Sequence, residues 1–228
     1  MKALVYTGLK TLEYRDVPNP DLKDDENLIS IRSVGICGSD MHAFLGHDDR
    51  RPAPLILGHE AAGDVIEGPL KGTRVTINPL VTCQKCKECK SNRSNLCGKR
   101  QIISMQPREG AFAEMVAMPS RNLVVVPDNI SFNDAALTEP LAVCWHAVRL
   151  GINALDTEIQ TANTLVIGGG AIGLGSALSL MAKVSKKLKL QNQMQKEEHF
   201  FKQIHGLIFM TLPKGMANYL ITILSLMQ

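Results

Sequence analysis

The sequence predicts an α+β, β-rich chain: a compact unit of short strands, of barrel type, followed by the beginning of an α/β unit. Three observations predict it. Short runs rich in β-branched and aliphatic residues recur between Met1 and Val126, separated by turn residues. After Pro127 the texture changes to longer apolar stretches with helical spacing. The run Thr164-Leu165-Val166-Ile167 then meets three consecutive glycines and a helix-patterned stretch from Ala171 to Ala182.

Taken in order, strands are expected at residues 3–7, 28–34, 63–67, 73–77, 113–118 and 123–126. Two inserts interrupt them. In Gly35-Ile36-Cys37-Gly38-Ser39-Asp40-Met41-His42 a strand hands over to a helical turn, and a cysteine-rich lobe runs from Cys83 to Cys97. Ser131 is expected to N-cap a helix toward Leu137, and Pro140 with the apolar stretch 141–150 predicts a second helix. The expected domains are residues 1–150, with the cysteine lobe at 80–100, then 151–192, then an atypical tail, 193–228. Leu188-Lys189-Leu190 is expected to form the second strand of the later domain.

Composition narrows the function. Hydrophobic residues make up 45% and charged residues 21% of the 228, the range of ordinary globular proteins. Residues 1–182 carry 18 Lys and Arg against 20 Asp and Glu, so 7 against 2 remain for residues 183–228 and the formal charge of +3 belongs to the tail. A slightly acidic body with 4% aromatics lacks the clustered cations of a nucleic-acid surface. Met1-Lys2-Ala3-Leu4-Val5-Tyr6 reads as a strand rather than a secretion leader. The apolar stretch from Ala217 to Met227 falls short of the roughly 20 residues that span a bilayer. A cytoplasmic location without membrane or nucleic-acid partners is the expectation, and there six cysteines point to metal binding or catalysis rather than disulfides.

Cys83-x-x-Cys86-x-x-Cys89, with Cys97 further on, puts four soft ligands in one short loop. That set matches a closed tetrahedral zinc site, structural because no coordination position is left for a substrate. Lys85, Lys87, Lys90 and Arg93 are expected to favour the thiolate form. A nucleic-acid zinc ribbon is the rival, but it needs two separated cysteine pairs.

Cys37, His59, Glu60 and Glu139 form a second candidate set: thiolate, imidazole and carboxylate with a coordination position open for water or an alcohol. On spacing alone the alternatives are stronger, with Cys37 a buried core residue, His59 a satisfied core histidine and Glu60 a paired charge. Cys144, Trp145 and His146 read as core packing, and His47 as a solvated loop residue.

The segments Gly35 to His42, Gly58-His59-Glu60, Cys83 to Cys97 and Gly168-Gly169-Gly170-Ala171-Ile172-Gly173 occur in the order seen in zinc-dependent medium-chain dehydrogenases. Over residues 1–182 the chain resembles the sorbitol, sugar-alcohol and threonine branch of that family. The resemblance implies a GroES-like barrel carrying one catalytic and one structural zinc, then a Rossmann nucleotide-binding domain for NAD or NADP. It implies that Cys37, His59 and Glu60 hold the catalytic zinc and that Glu139 stands where a further ligand or water-binding group sits. A glutamate there fits the polyol and threonine branch. Ser39 and His42 match the family's proton relay, and the expected substrate is a small-molecule alcohol. Relatives form homo-oligomers through segments that this chain lacks.

Gly168-x-Gly170-x-x-Gly173 lies between a strand and a helix, the context in which such glycines cradle a pyrophosphate. The acidic residue expected about 20 positions on, for the adenosine ribose, is replaced by Asn192. Only residues 193–228 follow, and their Lys, Gln, Met and Phe content breaks the βαβ rhythm near Lys183. The sequence-level expectation is therefore a truncated nucleotide domain, arising from a frameshift or misassembled gene, and with it a catalytically incompetent fragment as the alternative to an active enzyme.

Overall fold

The computed structural model describes residues 1–160, 162, 164–183 and, for its backbone, 188–191. The chain divides into two compact units, Met1–Glu139 and Pro140–Gln228.

The first unit contains β1 (Lys2–Gly8), β2 (Thr11–Asp16), β3 (Glu26–Gly35), α1 (Gly38–Phe44), β4 (Leu55–Ile56), β5 (Glu60–Glu67), β6 (Arg74–Ile77), β7 (Leu80–Val81), α2 (Lys87–Lys90), β8 (Gln101–Ile102), β9 (Met115–Pro119), β10 (Leu123–Val125) and α3 (Phe132–Ala136). Five strands form an antiparallel sheet in the order β10-β6-β5-β3-β9, and three more the sheet β2-β1-β4. Alternate residues of the larger sheet point to one side and build the core, among them Ile29, Val65, Val75, Val116 and Met118. Burying each such side chain contributes about 1.5–3 kcal/mol relative to leaving it in water.

All six expected strands are present, with β5 beginning at Glu60, three residues before its expected start. β2 was not anticipated. All six of its side chains are exposed, so its Thr-Leu-Glu-Tyr-Arg-Asp sequence carries no burial alternation, and it is held by its ladder to β1 and by Lys2 Nζ donating to Asp16 at 2.6 Å. α3 is capped as expected: the Ser131 hydroxyl accepts the Asp134 N–H at 3.1 Å. Arg74 ties β6 to the segment before α3, donating to the carbonyls of Pro127 and Ile130 at 2.9 and 2.7 Å.

α4 (Thr138–Asn153) carries the chain out of the first unit, with Pro140 in its first turn, where the missing N–H has no intrahelical acceptor. In the second unit follow β11 (Thr164–Ile167), α5 (Ala171–Ala182) and β12 (Leu188–Gln191). β11 and β12 pair in parallel, from Thr164 opposite Leu188 to Ile167 opposite Gln191. Cys144 is buried, its Sγ donating to the Ile172 carbonyl at 3.4 Å, and the Lys183 ammonium sits 4.2 Å from the centre of the Trp145 ring. Asn192 and the expected atypical tail lie outside the described residues.

Candidate functional site

In the β3–β5 ladder Val34 lies opposite Ala61 and Gly35 opposite Glu60. That register brings Cys37, two residues past β3, alongside His59, the residue before β5. One ligand atom from each of Cys37, His59 and Glu60 lies within 4.8 Å of the others, and His59 and Glu60 are buried. Gly35 makes the room: a Cβ there would stand 2.3 Å from Glu60 Oε2.

α1 begins at this point and turns Asp40 beneath the cluster, 2% exposed. Its Oδ2 accepts the Cys37 N–H at 2.9 Å, and its Oδ1 accepts the Gly58 N–H at 3.1 Å while lying 3.6 Å from His59 Nδ1. Ser104 Oγ stands 3.5 Å from the same nitrogen. With Nδ1 so engaged, Nε2 is the nitrogen left to face a metal. Burial opposes a charged imidazole, but the Asp40 hydrogen bond and charge, with the charges of Glu139 and Glu60, outweigh it and hold His59 above its usual pKa. Burial likewise pushes on Asp40, yet the bonds from His59, Cys37 and Gly58 keep its carboxyl below the usual range.

Glu139, in the first turn of α4, stands outside the three-residue set. Burial raises its pKa against the pull of His59, and the neighbouring Glu60 and Asp40 add to the rise. Among the described residues no lysine or arginine pairs with Glu60 or Glu139. A thiol, an imidazole and converging carboxylates without a side-chain cation fit a divalent metal.

Ser39 gives a second sign of a bound partner. Its Oγ is the one buried side-chain N or O atom among the described residues without a hydrogen-bond partner. Such an atom costs about 1–3 kcal/mol unless something meets it, and this one lies two residues past Cys37. His42 follows three residues along α1, exposed, its ring centre 6.3 Å from that of His47.

The cysteine lobe converges as well: ligand atoms of Cys83, Cys86, Cys89 and Cys97 all lie within 4.8 Å of one another. Cys86 caps the short α2, Cys89 lies within it, and a 3-10 turn, Ser94–Leu96, delivers the fully buried Cys97. The N–H groups of Lys85 and Cys86 lower Cys83 to about 6, so backbone donors favour its thiolate. Cys86 is pushed up to about 12; the Cys89 N–H favours its thiolate, but burial and competition with the neighbouring thiols and Glu88 prevail. Four sulfurs this close resist ionising together unless a cation shares their charge.

In the second unit, Gly168 follows β11 with φ of +97°, a backbone shape that side chains rarely adopt. A Cβ on Gly173 would stand 1.9 Å from the Gly168 carbonyl oxygen, whereas one on Gly170, the N-cap of α5, would meet nothing. Gly168 and Gly173 thus let the helix close on the loop, and the open space at Gly170 lets a ligand approach the backbone.

Sequence reasoning missed Asp40, Ser104 and Gly35. Asp40 had a local signal, an acid three residues after an N-cap. Ser104 had none, being 45 positions from His59.

Residues 23–128 match the family of the alcohol dehydrogenase GroES-like domain. Over 184 residues the chain is 36% identical to sorbitol dehydrogenase of Bacillus subtilis (strain 168), an alignment covering 76% of this chain and 50% of that protein. It is 37% identical over 191 residues to L-galactonate-5-dehydrogenase of Escherichia coli (strain K12), covering 81% and 54%. Galactitol-1-phosphate dehydrogenase from Escherichia coli is similar in structure, with a TM-score of 0.75 and 28% identity over 83% of this chain and 55% of that one. The chain spans about half the length of the curated relatives it matches.

Proposed function

The chain belongs to the zinc-type medium-chain dehydrogenase family, and from that premise we propose that it is a zinc-dependent oxidoreductase. It transfers hydride from a secondary alcohol of a polyol, sugar alcohol or related hydroxy compound to NAD or NADP. The observation that carries this reading is the buried convergence of Cys37, His59 and Glu60 with the unpartnered Ser39 hydroxyl two residues from the thiol.

Bound zinc supplies Lewis acidity toward an alcohol, and the nicotinamide supplies the hydride acceptor. Cys37, His59 and Glu60 hold the catalytic zinc, with Glu139 poised as a further ligand or water-binding group. Cys83, Cys86, Cys89 and Cys97 hold the structural one. Asp40 keeps the His59 ring oriented. The buried Ser39 hydroxyl is free to accept a hydrogen bond from the substrate's hydroxyl, and His42, exposed one turn along α1, is the group placed to exchange protons with solvent. Gly168, Gly170 and Gly173 receive the dinucleotide pyrophosphate at the start of α5. We read residues 1–150 as the catalytic domain and 151–192 as the start of the nucleotide-binding domain. Six free cysteines support a reducing, cytoplasmic setting, and no described helix is long and apolar enough to cross a membrane.

Metal analysis of the purified chain is expected to find two zinc ions, falling to one in Cys37→Ala. Sorbitol, xylitol or galactitol is expected to drive formation of reduced nicotinamide in the wild type alone. Two zincs with no cofactor reduction by any polyol would overturn the enzymatic assignment.

A further inference from the structure

Ser104, two residues past β8, combines an unfavourable backbone with a well-placed hydroxyl. It is fully buried, and its φ of +62° lies in the left-handed region that glycine adopts freely and a residue with a Cβ adopts only at a cost. The position is pinned from both sides. Before it, Ile103 is buried in the core of the larger sheet and donates to the Pro79 carbonyl at 3.3 Å; after it, Met105 exchanges backbone hydrogen bonds with Arg108. The buried Arg51, paired with Asp48, donates from Nε to the Ser104 carbonyl at 3.0 Å. These contacts use only backbone at position 104, so glycine would meet them without strain. What serine adds is its Oγ, whose hydrogen-bond contact among the described residues is His59 Nδ1, at 3.5 Å.

Asp40 Oδ1 meets the same nitrogen at 3.6 Å, but it also accepts the Gly58 N–H, while Oδ2 accepts the Cys37 N–H. The carboxylate is thus shared with the backbone. A second acceptor beside the same N–H limits how far the imidazole can rock, and so keeps Nε2 in place. Resting on the zinc reading above, we propose that Ser104 is a positioning residue for the metal site of Cys37, His59 and Glu60. Its hydroxyl, set by a left-handed backbone, holds the His59 ring for metal binding.

Zinc release from the purified full chain into graded concentrations of chelator tests this without turnover. The release step absent in Cys37→Ala reports the Cys37 site, and the remaining step reports the cysteine lobe. Ser104→Ala loses the hydroxyl and keeps the Cβ, whereas Ser104→Gly loses both and frees the backbone. In both variants the Cys37-site step is expected at a chelator concentration lower by about tenfold or more. The lobe step is expected to stay where it is, and hydrogen-exchange protection of the five-stranded sheet to be kept. A Cys37-site step unmoved in either variant, a lobe step that moves with it, or a loss of sheet protection makes Ser104 a packing residue and overturns the proposal while the zinc reading stands. A wild-type chain with no release step beyond that of Cys37→Ala removes the zinc reading itself, and the proposal with it.

Discussion

Ser39 shows how much a single side chain can carry. A buried hydroxyl without a partner is a cost to the fold, so replacing it by alanine removes that cost together with the chemistry. In Ser39→Ala we expect kcat/KM for a polyol to fall by about 10²–10⁴-fold, while zinc content is kept and the melting temperature holds or rises. A merely structural serine would show the opposite pattern, with stability lost and turnover kept. Asp40 is different: its three contacts, to Cys37 at the helix start and to Gly58 and His59, by hydrogen bond or charge, make it a positioning residue. Neither role is legible from residue type. The serine was found through its place in a motif; the aspartate's place at the helix start has a local signal, but its hold on His59 exists only once the chain has folded around it.

At the scale of elements, the loop between α1 and β4 braces the site from behind. Asp48 accepts hydrogen bonds from Arg50 Nε at 2.8 Å and from the Arg51 guanidinium. The buried Arg51 also donates to the Ser104 carbonyl at 3.0 Å, and the Ser104 hydroxyl faces His59. The Arg50 bonds, aided by Arg51 and only partly opposed by burial, lower the Asp48 pKa from 3.8 to about 2. A depressed folded-state pKa gives stability that is present above 3.8 and lost as pH falls through about 2. Asp48→Asn is therefore expected to destabilise the chain by about 1–2 kcal/mol at neutral pH, leaving Arg51 buried without its carboxylate. In urea titrations the gap to wild type should hold down to about pH 5 and close below 3.8; a gap independent of pH would show that Asp48 acts through packing alone. The elements themselves were readable to different degrees. β3 and β6 bury aliphatic residues and were visible, whereas the exposed β2 is defined by pairing to β1 and has no sequence pattern to find.

The molecule as a whole divides its stability unevenly. The five-stranded sheet owns a contiguous apolar core, but the cysteine lobe has only a four-residue helix, a 3-10 turn and an exposed Leu96, with Cys97 its sole fully buried side chain. A lobe without a core depends on its metal. Chelation is expected to expose Lys85, Lys87, Lys90 and Arg93 to rapid tryptic cleavage while the strands of the sheet stay protected; a lobe equally resistant after metal removal would sink that dependence. By itself the sequence determined the features whose parts are neighbours along the chain. These are the four-cysteine lobe, the strand, glycine loop and helix of the second unit, and the Ser131 cap, because local spacing and backbone geometry suffice to set them. Only the tertiary structure decided that Cys37 meets His59 and Glu60, that Asp40 and Ser104 hold the imidazole from behind, and that the charge of Glu139 is felt there. Those residues are brought together by the register of β3 on β5 and by loops that pack only after the sheet forms. Hydrogen-bonded pairing across distant segments leaves no periodic trace in the sequence of either one.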